Sequence, residues 1–383
     1  MTYVEMLARL IGFDTTSRNS NLALIAFVRD YLEGWGVASE LVFDDSGAKA
    51  NLIATLGPPE RAGLVLSGHT DVVPVDGQHW ASDPFVCTER DGRLHGRGAA
   101  DMKGFIATVL ALVPEFLARP LTAPIHLALS YDEEVGCKGA PRLLDRLGVL
   151  LPVPPFGAVI GEPTAMRVAN GHKGKAGYAC IVSGLACHSA LSHQGVNALE
   201  IAAEIIVHLR RRNLEFRARG PFEEGFDPPH CTVTTSVIAG GTALNIVPDE
   251  CRFEFEFRTL PGQDAAALLA EVQRFAETEL FPDMRASHPG AGIAWRELMS
   301  YPALGGAGDS ALELLCCELA GAARPGKVPF GTEAGLFARG IPSVICGPGD
   351  MTVAHKPDEH VERVELERCA SFLRRLVERT VAA

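Results

Sequence analysis

Hydrophobic residues follow two different spacings along most of the chain. Segments with helical spacing of apolar residues alternate with short, continuously apolar segments that are typical of buried strands. The predicted helices lie at 2–12, 21–36, 105–118, 139–147, 308–320 and 361–380. The predicted strands lie at 41–43, 51–56, 64–66, 125–129, 158–160 and 343–346. This alternation of strands and helices predicts a doubly wound α/β domain.

The segment in the middle of the chain has a different order of elements. The residue pattern predicts strand 176–183, helix 196–212, strands 231–239 and 251–259, helix 264–281 and strand 292–297. The order β-α-β-β-α-β is that of a ferredoxin-like α+β unit. We therefore predict an inserted domain at 175–298, and a main domain formed by 1–174 and 299–383.

Composition narrows the class of protein and its partners. A chain of 383 residues is long enough for two domains. The formal net charge of -12 argues against binding to nucleic acid or to an anionic membrane surface, and no apolar run approaches the length of a membrane span. The ten cysteines are scattered without paired spacing, which favours reduced thiols and a cytoplasmic location.

The first chemically suggestive residues follow the predicted strand 64–66. This strand ends at Ser67-Gly68 and delivers His69 and Asp71 to its carboxyl end, where open α/β sheets bind ligands. One imidazole nitrogen of His69 can bind a metal while the Asp71 carboxylate holds the other ring N–H. An isolated His-x-Asp pair is more often a polar loop, so the prediction depends on the other strand ends.

Later connections add further acids and a histidine to the same edge. They are Asp101, Glu133, Glu134, Glu162 and His355. Taken alone, Asp101 could simply cap the helix that follows it. Histidines and carboxylates without thiolates favour zinc or cobalt over calcium, and the number of groups suffices for two ions that share one carboxylate. Glu133 and Glu134 are adjacent and point in opposite directions, so one can bind metal while the other acts as the base, and the sequence leaves open which.

Five separated motifs, in order, resemble those of the M20 metallopeptidase/deacylase family. They are His69-Thr-Asp71-Val-Val-Pro74, Trp80-Ala-Ser-Asp-Pro-Phe85, Gly96-Arg-Gly-Ala-Ala-Asp101-Met-Lys-Gly104, Asp132-Glu-Glu-Val-Gly136 and Gly161-Glu-Pro163. The resemblance implies a zinc-peptidase-like catalytic domain with a mixed sheet. It also implies that the inserted domain is a lid or dimerisation domain, so that the protein is a homodimer.

The resemblance also implies roles for individual residues. His69 and Glu162 would complete one metal site, Glu134 and His355 the other, and Asp101 would bridge two divalent ions, Zn²⁺ or Co²⁺. Glu133 would be the general base, Asp71 would support His69, and a cis peptide would follow Asp101. His188 of the partner subunit would stabilise the oxyanion, and Asn245 and Arg258 would hold the substrate.

Two short motifs narrow the expected substrate to an N-acylated amino acid. Gly331-Thr-Glu-Ala-Gly335 and the stretch from Gly347 to Glu359 most resemble the branch of the family that deacetylates N2-acetyl-L-ornithine in arginine biosynthesis. Arg258 can hold an α-carboxylate, and Glu333 either meets the distal ammonium or is only the first-turn acid of a helix. The alternatives are an aminoacylase, a succinyl-diaminopimelate desuccinylase, or a metal-free binding protein, which the intact set of ligand positions disfavours.

Overall fold

The computed structural model describes residues 1–382. The chain forms two compact units. The first comprises Met1–Gly171, Leu304–Val328 and the stretch from Thr332 to the end of the described residues. The second comprises His172–Ala303 and Pro329–Gly331.

The first unit is built on a six-stranded mixed sheet. In spatial order its strands are Ser39–Phe43, Ala50–Leu56, Ile125–Ser130, Leu64–His69, Gly157–Pro163 and Ser343–Gly347. The last four run parallel to one another, and the first two are antiparallel to their neighbours. This confirms the predicted doubly wound, mixed-sheet α/β fold.

Helices cover both faces of this sheet because its central strands are apolar on both faces. They are Tyr3–Ile11, Leu22–Glu33, Gly104–Leu117, Ala140–Leu150, Ala311–Ala320, Ala334–Phe337 and Arg363–Thr380. Leu64 and Leu66 pack into the core on one face, whereas Val65 packs into a smaller core on the other. Local signals set the helix ends: Thr2 and Glu5 form a reciprocal capping box at the start of the first helix.

A small antiparallel sheet joins two segments of the first unit that are far apart in the sequence. Its strands are Thr88–Arg90, Arg93–His95 and His360–Glu362. The last of these overlaps the start of the predicted helix 361–380, which in the structure begins only at Arg363. Two-residue strands also occur at Gly171–His172 and Leu304–Gly305.

The second unit has a four-stranded antiparallel sheet. In spatial order the strands are Thr232–Gly240, Glu250–Thr259, Gly174–Ser183 and Gly292–Tyr301. Its helices are Ala198–Arg219, Ala265–Phe275 and Phe281–Ser287, with a π-helical segment at Ala276–Leu280 between the last two and a 3₁₀ segment at Ser189–Gln194. Strand Glu250–Thr259 alternates buried and partly exposed residues, as a sheet with one covered face requires. The predicted ferredoxin-like topology is confirmed, whereas a lid or dimerisation role for this unit stays a prediction.

Candidate active site

Asp101 lies between two histidines that come from distant parts of the chain. Its Oδ1 is 3.0 Å from Nε2 of His69, and its Oδ2 is 3.1 Å from Nε2 of His355. His69 is the last residue of a central strand, and Asp101 lies in the turn Ala99–Lys103 that precedes a helix. The Asp101–Met102 peptide is cis, as the resemblance implied. One buried carboxylate therefore presents each of its oxygens to a different imidazole.

The hydrogen bonds of His69 define which ring nitrogen faces the site. Its Nδ1 lies 2.9 Å from the backbone carbonyl oxygen of Asp71. Because a carbonyl only accepts, Nδ1 donates to it, and Nε2 is the ring nitrogen that faces the acids. Burial lowers the pKa of His69, but hydrogen bonding to Asp101 and Asp71 together with the charge of Glu162 raises it well above its ordinary value.

This contact differs from the one that the sequence predicted. The Asp71 carboxylate was expected to hold the ring N–H, yet its Oδ1 is 3.6 Å from Nδ1. The backbone carbonyl oxygen of Asp71 is nearer to Nδ1, at 2.9 Å. The carboxylate instead accepts a hydrogen bond from Ser17 Oγ at 2.7 Å and others from backbone amides. Asp71 thus reaches His69 mainly through its main chain.

The predicted acids converge on the same cluster. Ligand atoms of His69, Asp101 and Glu134 lie within 4.8 Å of one another, and so do those of His69, Glu133 and Glu162. Glu134 Oε2 is also 3.1 Å from His355 Nε2. All residues predicted to bind metal are therefore neighbours, and Glu133 lies among them.

The crowding of buried carboxylates changes their protonation. Burial, together with the charge of the Asp101 carboxylate, raises the pKa of Glu134 to about 7. Burial also raises the pKa of Glu133 and Glu162 well above their ordinary values. Asp101 is the exception: its pKa is lowered, because hydrogen bonds from His355 and His69 outweigh the effect of burial. The cluster thus contains more carboxyl groups than its two histidines can neutralise.

Three supporting residues were not predicted. Asn51 Nδ2 donates to the Gly139 carbonyl at 2.9 Å, and Asn51 Oδ1 accepts from the Tyr131 amide at 3.2 Å, so it closes the turn that carries Glu133 and Glu134. Lys49 pairs with Asp132 in the same turn, and Ser17 binds Asp71. Asn51 had a sequence signal, since it is a polar residue near the start of a mostly apolar strand; Ser17 had none.

The predicted substrate residues of the second unit fall into two places. His188 and Asn245 are exposed neighbours, since His188 pairs with Ile246 and the Ser189 amide donates to the Asn245 carbonyl at 3.0 Å. Arg258 lies near the other end of strand Glu250–Thr259, roughly 25 Å along it at about 3.3 Å per residue. Arg258 donates to Glu256 at 2.8 Å. Within this unit the three residues do not form one cluster.

Glu333 is buried in the first unit, at the residue before helix Ala334–Phe337. Its side chain makes no hydrogen bond to helix Ala334–Phe337, and Oε1 has no hydrogen-bond partner among the described residues. It is 1% exposed, and burial raises its pKa to about 7. Glu333 directly precedes the helix, so both a role as the acid at the helix start and a substrate role stay predictions.

Comparison with known proteins agrees with this geometry. The family model described as peptidase family M20/M25/M40 matches residues 65–379. The chain belongs to this family. An acetylornithine deacetylase of Myxococcus xanthus is 36% identical over 97% of this chain and 95% of its own length. Another, of Proteus mirabilis strain HI4320, is 33% identical over 98% of this chain and 96% of its own length.

Solved structures that share the fold include a member of the M20 family. An M20 family metallo-carboxypeptidase, Sso-CP2 of Sulfolobus solfataricus, gives a TM-score of 0.76 at 16% identity and covers 98% of both chains. The aminopeptidase PepT of Bacillus cereus ATCC 10987 gives 0.72 at 21% identity, covering 98% of this chain and 97% of its own. As a member of the M20 family, this chain is a hydrolase, and it has a cluster of groups suited to metal. Among residues 1–382, no helix combines the length and apolarity needed to cross a membrane.

Proposed function

We propose that this M20 hydrolase uses two divalent ions, Zn²⁺ or Co²⁺, to remove acetate from N2-acetyl-L-ornithine, giving L-ornithine for arginine biosynthesis. The position of Asp101 is the main support for a site with two ions, because its two carboxylate oxygens lie 3.0 and 3.1 Å from the imidazoles of two different histidines. The substrate is proposed from the similarity to acetylornithine deacetylases over nearly the whole chain.

The donor set fits such ions. Imidazole and carboxylate groups without thiolates suit zinc or cobalt. Glu134 Oε1 is buried without a hydrogen-bond partner among the described residues, which leaves an acceptor free for a cation. His69 and Glu162 would hold one ion, Glu134 and His355 the other, and Asp101 both. When bound, the ions would lower the pKa of a water between them and polarise the amide carbonyl.

Glu133 would act as the general base and then as the general acid. It would take a proton from the attacking water and deliver that proton to the nitrogen of the departing ornithine. A carboxyl with this task works best when its pKa lies near the operating pH. Burial, together with the neighbouring Glu134, raises the pKa of Glu133 in that direction.

We extend the proposal to a homodimer. His188 and Asn245 lie far along a strand from Arg258 within one unit, so one copy does not gather all three predicted substrate contacts in this unit. His188 of the partner subunit would supply the donor to the oxyanion.

A cytoplasmic location also remains our prediction, since all ten cysteines are free thiols.

The substrate assignment depends on charge at both ends of the amino acid. Arg258 would pair with the α-carboxylate through two parallel hydrogen bonds. Glu333, buried and with an unpartnered oxygen, would accept the distal ammonium. An aminoacylase or a succinyl-diaminopimelate desuccinylase remains the alternative within the family.

Acetate release from N2-acetyl-L-ornithine tests the proposal. Purified protein is assayed as isolated, after chelation, and after zinc or cobalt is added back. We expect turnover that disappears and returns with metal. Turnover that survives complete chelation would contradict the metal site. Faster hydrolysis of N-acetylmethionine or N-succinyl-diaminopimelate would overturn the substrate assignment but keep the amidohydrolase.

A further inference from the structure

His355 lies in a stretch without helix or strand, between Ser343–Gly347 and His360–Glu362. Its side chain is 48% exposed and its φ is 63°, a left-handed conformation that few non-glycine residues adopt. Such a residue keeps its place only if surrounding groups hold it. The question is which groups place His355 opposite Asp101.

We propose that the buried ion pair of Arg97 and Glu359, called here the Arg97–Glu359 pair, is a positioning device for the metal site. The pair joins the main chain of Asp101 to the loop of His355, and so sets the affinity for the ion that these two residues share. This inference rests on the proposed two-metal function. Neither residue touches the reacting groups, so both are positioning residues.

Glu359 holds the side of the site that carries Asp101. Its Oε1 accepts hydrogen bonds from the amides of Ala100 at 3.0 Å and Asp101 at 3.1 Å. Its other carboxylate oxygen, Oε2, lies 2.6 Å from Arg97 Nη1. One carboxylate therefore connects the backbone of the proposed bridging ligand to the guanidinium.

Arg97 holds the side that carries His355. Its Nη1 also lies 3.4 Å from the Lys356 carbonyl, and its Nη2 donates to Gln78 Oε1 at 2.6 Å. Gln78 in turn donates through Nε2 to the His355 carbonyl at 2.9 Å. The guanidinium thus reaches the residue after His355 directly and His355 itself through one amide.

Burial makes this arrangement specific to arginine. The side chains of Arg97 and Glu359 are each 1% exposed, so the charges interact with little screening by water. The Trp80 ring covers the guanidinium, with Arg97 Cζ 5.0 Å from the ring centroid. Lysine could keep the charge but, as a point-charge donor, cannot reproduce a planar fork with three acceptors. The Trp80 motif, which the reaction itself does not use, thereby gains a role.

The test uses two variants and a matched control. Arg97→Lys and Glu359→Gln alter the pair while keeping side-chain size. The control is Arg93→Lys and Glu362→Gln, because Arg93 and Glu362 form an exposed pair at 3.4 Å on the two strands whose ends adjoin Arg97 and Glu359. Cobalt is titrated into the metal-free proteins in competition with a chelator, and visible absorption reports each bound ion. Thermal unfolding of the metal-free proteins is measured in parallel.

We expect the ion held by His355 to bind about 10–100-fold more weakly in both variants, the usual effect of losing a group that orients a ligand. The control should match the wild type, and the other ion, which shares Asp101 but not His355, should lose less affinity. Wild-type affinity for every ion in both variants would overturn the inference. If the metal-free variants were also less stable than the wild type while their affinity was unchanged, the pair would have only a structural role. A wild-type chain that binds only one ion would contradict the two-metal proposal instead, and the affinity of that ion in the variants would still test the pair.

Discussion

The amide nitrogen of Glu133 lies 3.0 Å from Oδ1 of Asp71. The residue that the sequence predicted to orient His69 therefore also holds the main chain of the proposed base. Oδ2 of Asp71 accepts from the Glu134 amide at 3.3 Å as well as from Ser17. A single carboxylate thus links the strand end of His69 to the turn that carries both acids.

Asp71→Asn should lower both stability and activity. Asparagine has one acceptor oxygen, so its amino group would face at least one of the three donors and leave that donor unsatisfied, at a cost of about 1–3 kcal/mol. We expect this loss in chemical denaturation, together with a fall in kcat of about 10–100-fold as the turn moves. Asp76→Asn is the control, because Asp76 forms an exposed pair with Arg18, and we expect it to change the free energy of unfolding by only ~0.5 kcal/mol. An equally small change for Asp71→Asn would refute the anchoring role of Asp71.

Metal removal should make stability fall as pH rises. Glu134, with its pKa raised to about 7, keeps its proton in the folded chain while the unfolded chain releases it from about pH 4.5 upward. His355, whose pKa is raised to about 10 by Asp101 and Glu134, extends the same trend, because the folded state again binds the extra proton. Its contribution is present below about pH 6.5 and disappears as the pH passes 10.

Thermal unfolding from pH 5 to 9 checks this sign. The chelated protein should melt at progressively lower temperature, whereas the zinc-loaded protein should depend less on pH because cations replace the bound protons. The metal-free Glu134→Gln variant should lose part of the slope. Equal slopes for chelated and zinc-loaded protein would rule out the proposed coupling.

Glu333→Gln should discriminate between substrates by their distal charge. If Glu333 accepts the ammonium of ornithine, the neutral glutamine should raise KM for N2-acetylornithine about 10–100-fold. This factor corresponds to the free energy of a hydrogen bond to a charged group. KM for N-acetylnorvaline, which has the same chain length without the amine, should stay within twofold. Equal effects on both substrates would show that Glu333 only supports the fold.

Mixed dimers should restore activity to two inactive variants. Glu133→Gln removes the proposed base, and His188→Ala removes the proposed oxyanion donor, so each alone should lose about 10²–10⁴-fold in kcat. When both variants are co-expressed, a subunit with intact Glu133 would receive His188 of the partner subunit, and activity should return in the heterodimer. Purified heterodimer without activity would contradict the contribution from the partner, and a monomer in sedimentation would contradict the dimer itself.

Local patterning determined most of the architecture. Continuous apolar runs predicted the central strands because those strands are covered on both faces, and the alternation in 251–257 predicted a strand with one covered face. The β-α-β-β-α-β order predicted the second unit. The gathering of His69, Asp101, Glu133, Glu134 and Glu162 followed from parallel strands, whose carboxyl ends meet at one edge of a sheet.

Tertiary structure alone decided how those residues are held. The Asp71 carboxylate accepts hydrogen bonds from Ser17 and from a turn more than sixty residues away, while the backbone carbonyl of Asp71 is the nearer partner of the His69 ring. The small sheet of Arg93–His95 and His360–Glu362 joins segments far apart in sequence, and so brings Glu359 to Asp101. Hydrophobic periodicity records which face of an element is covered, but it carries no information on which polar group meets another across a fold. Those contacts depend on chain reversals and side-chain directions that exist only once both segments are packed.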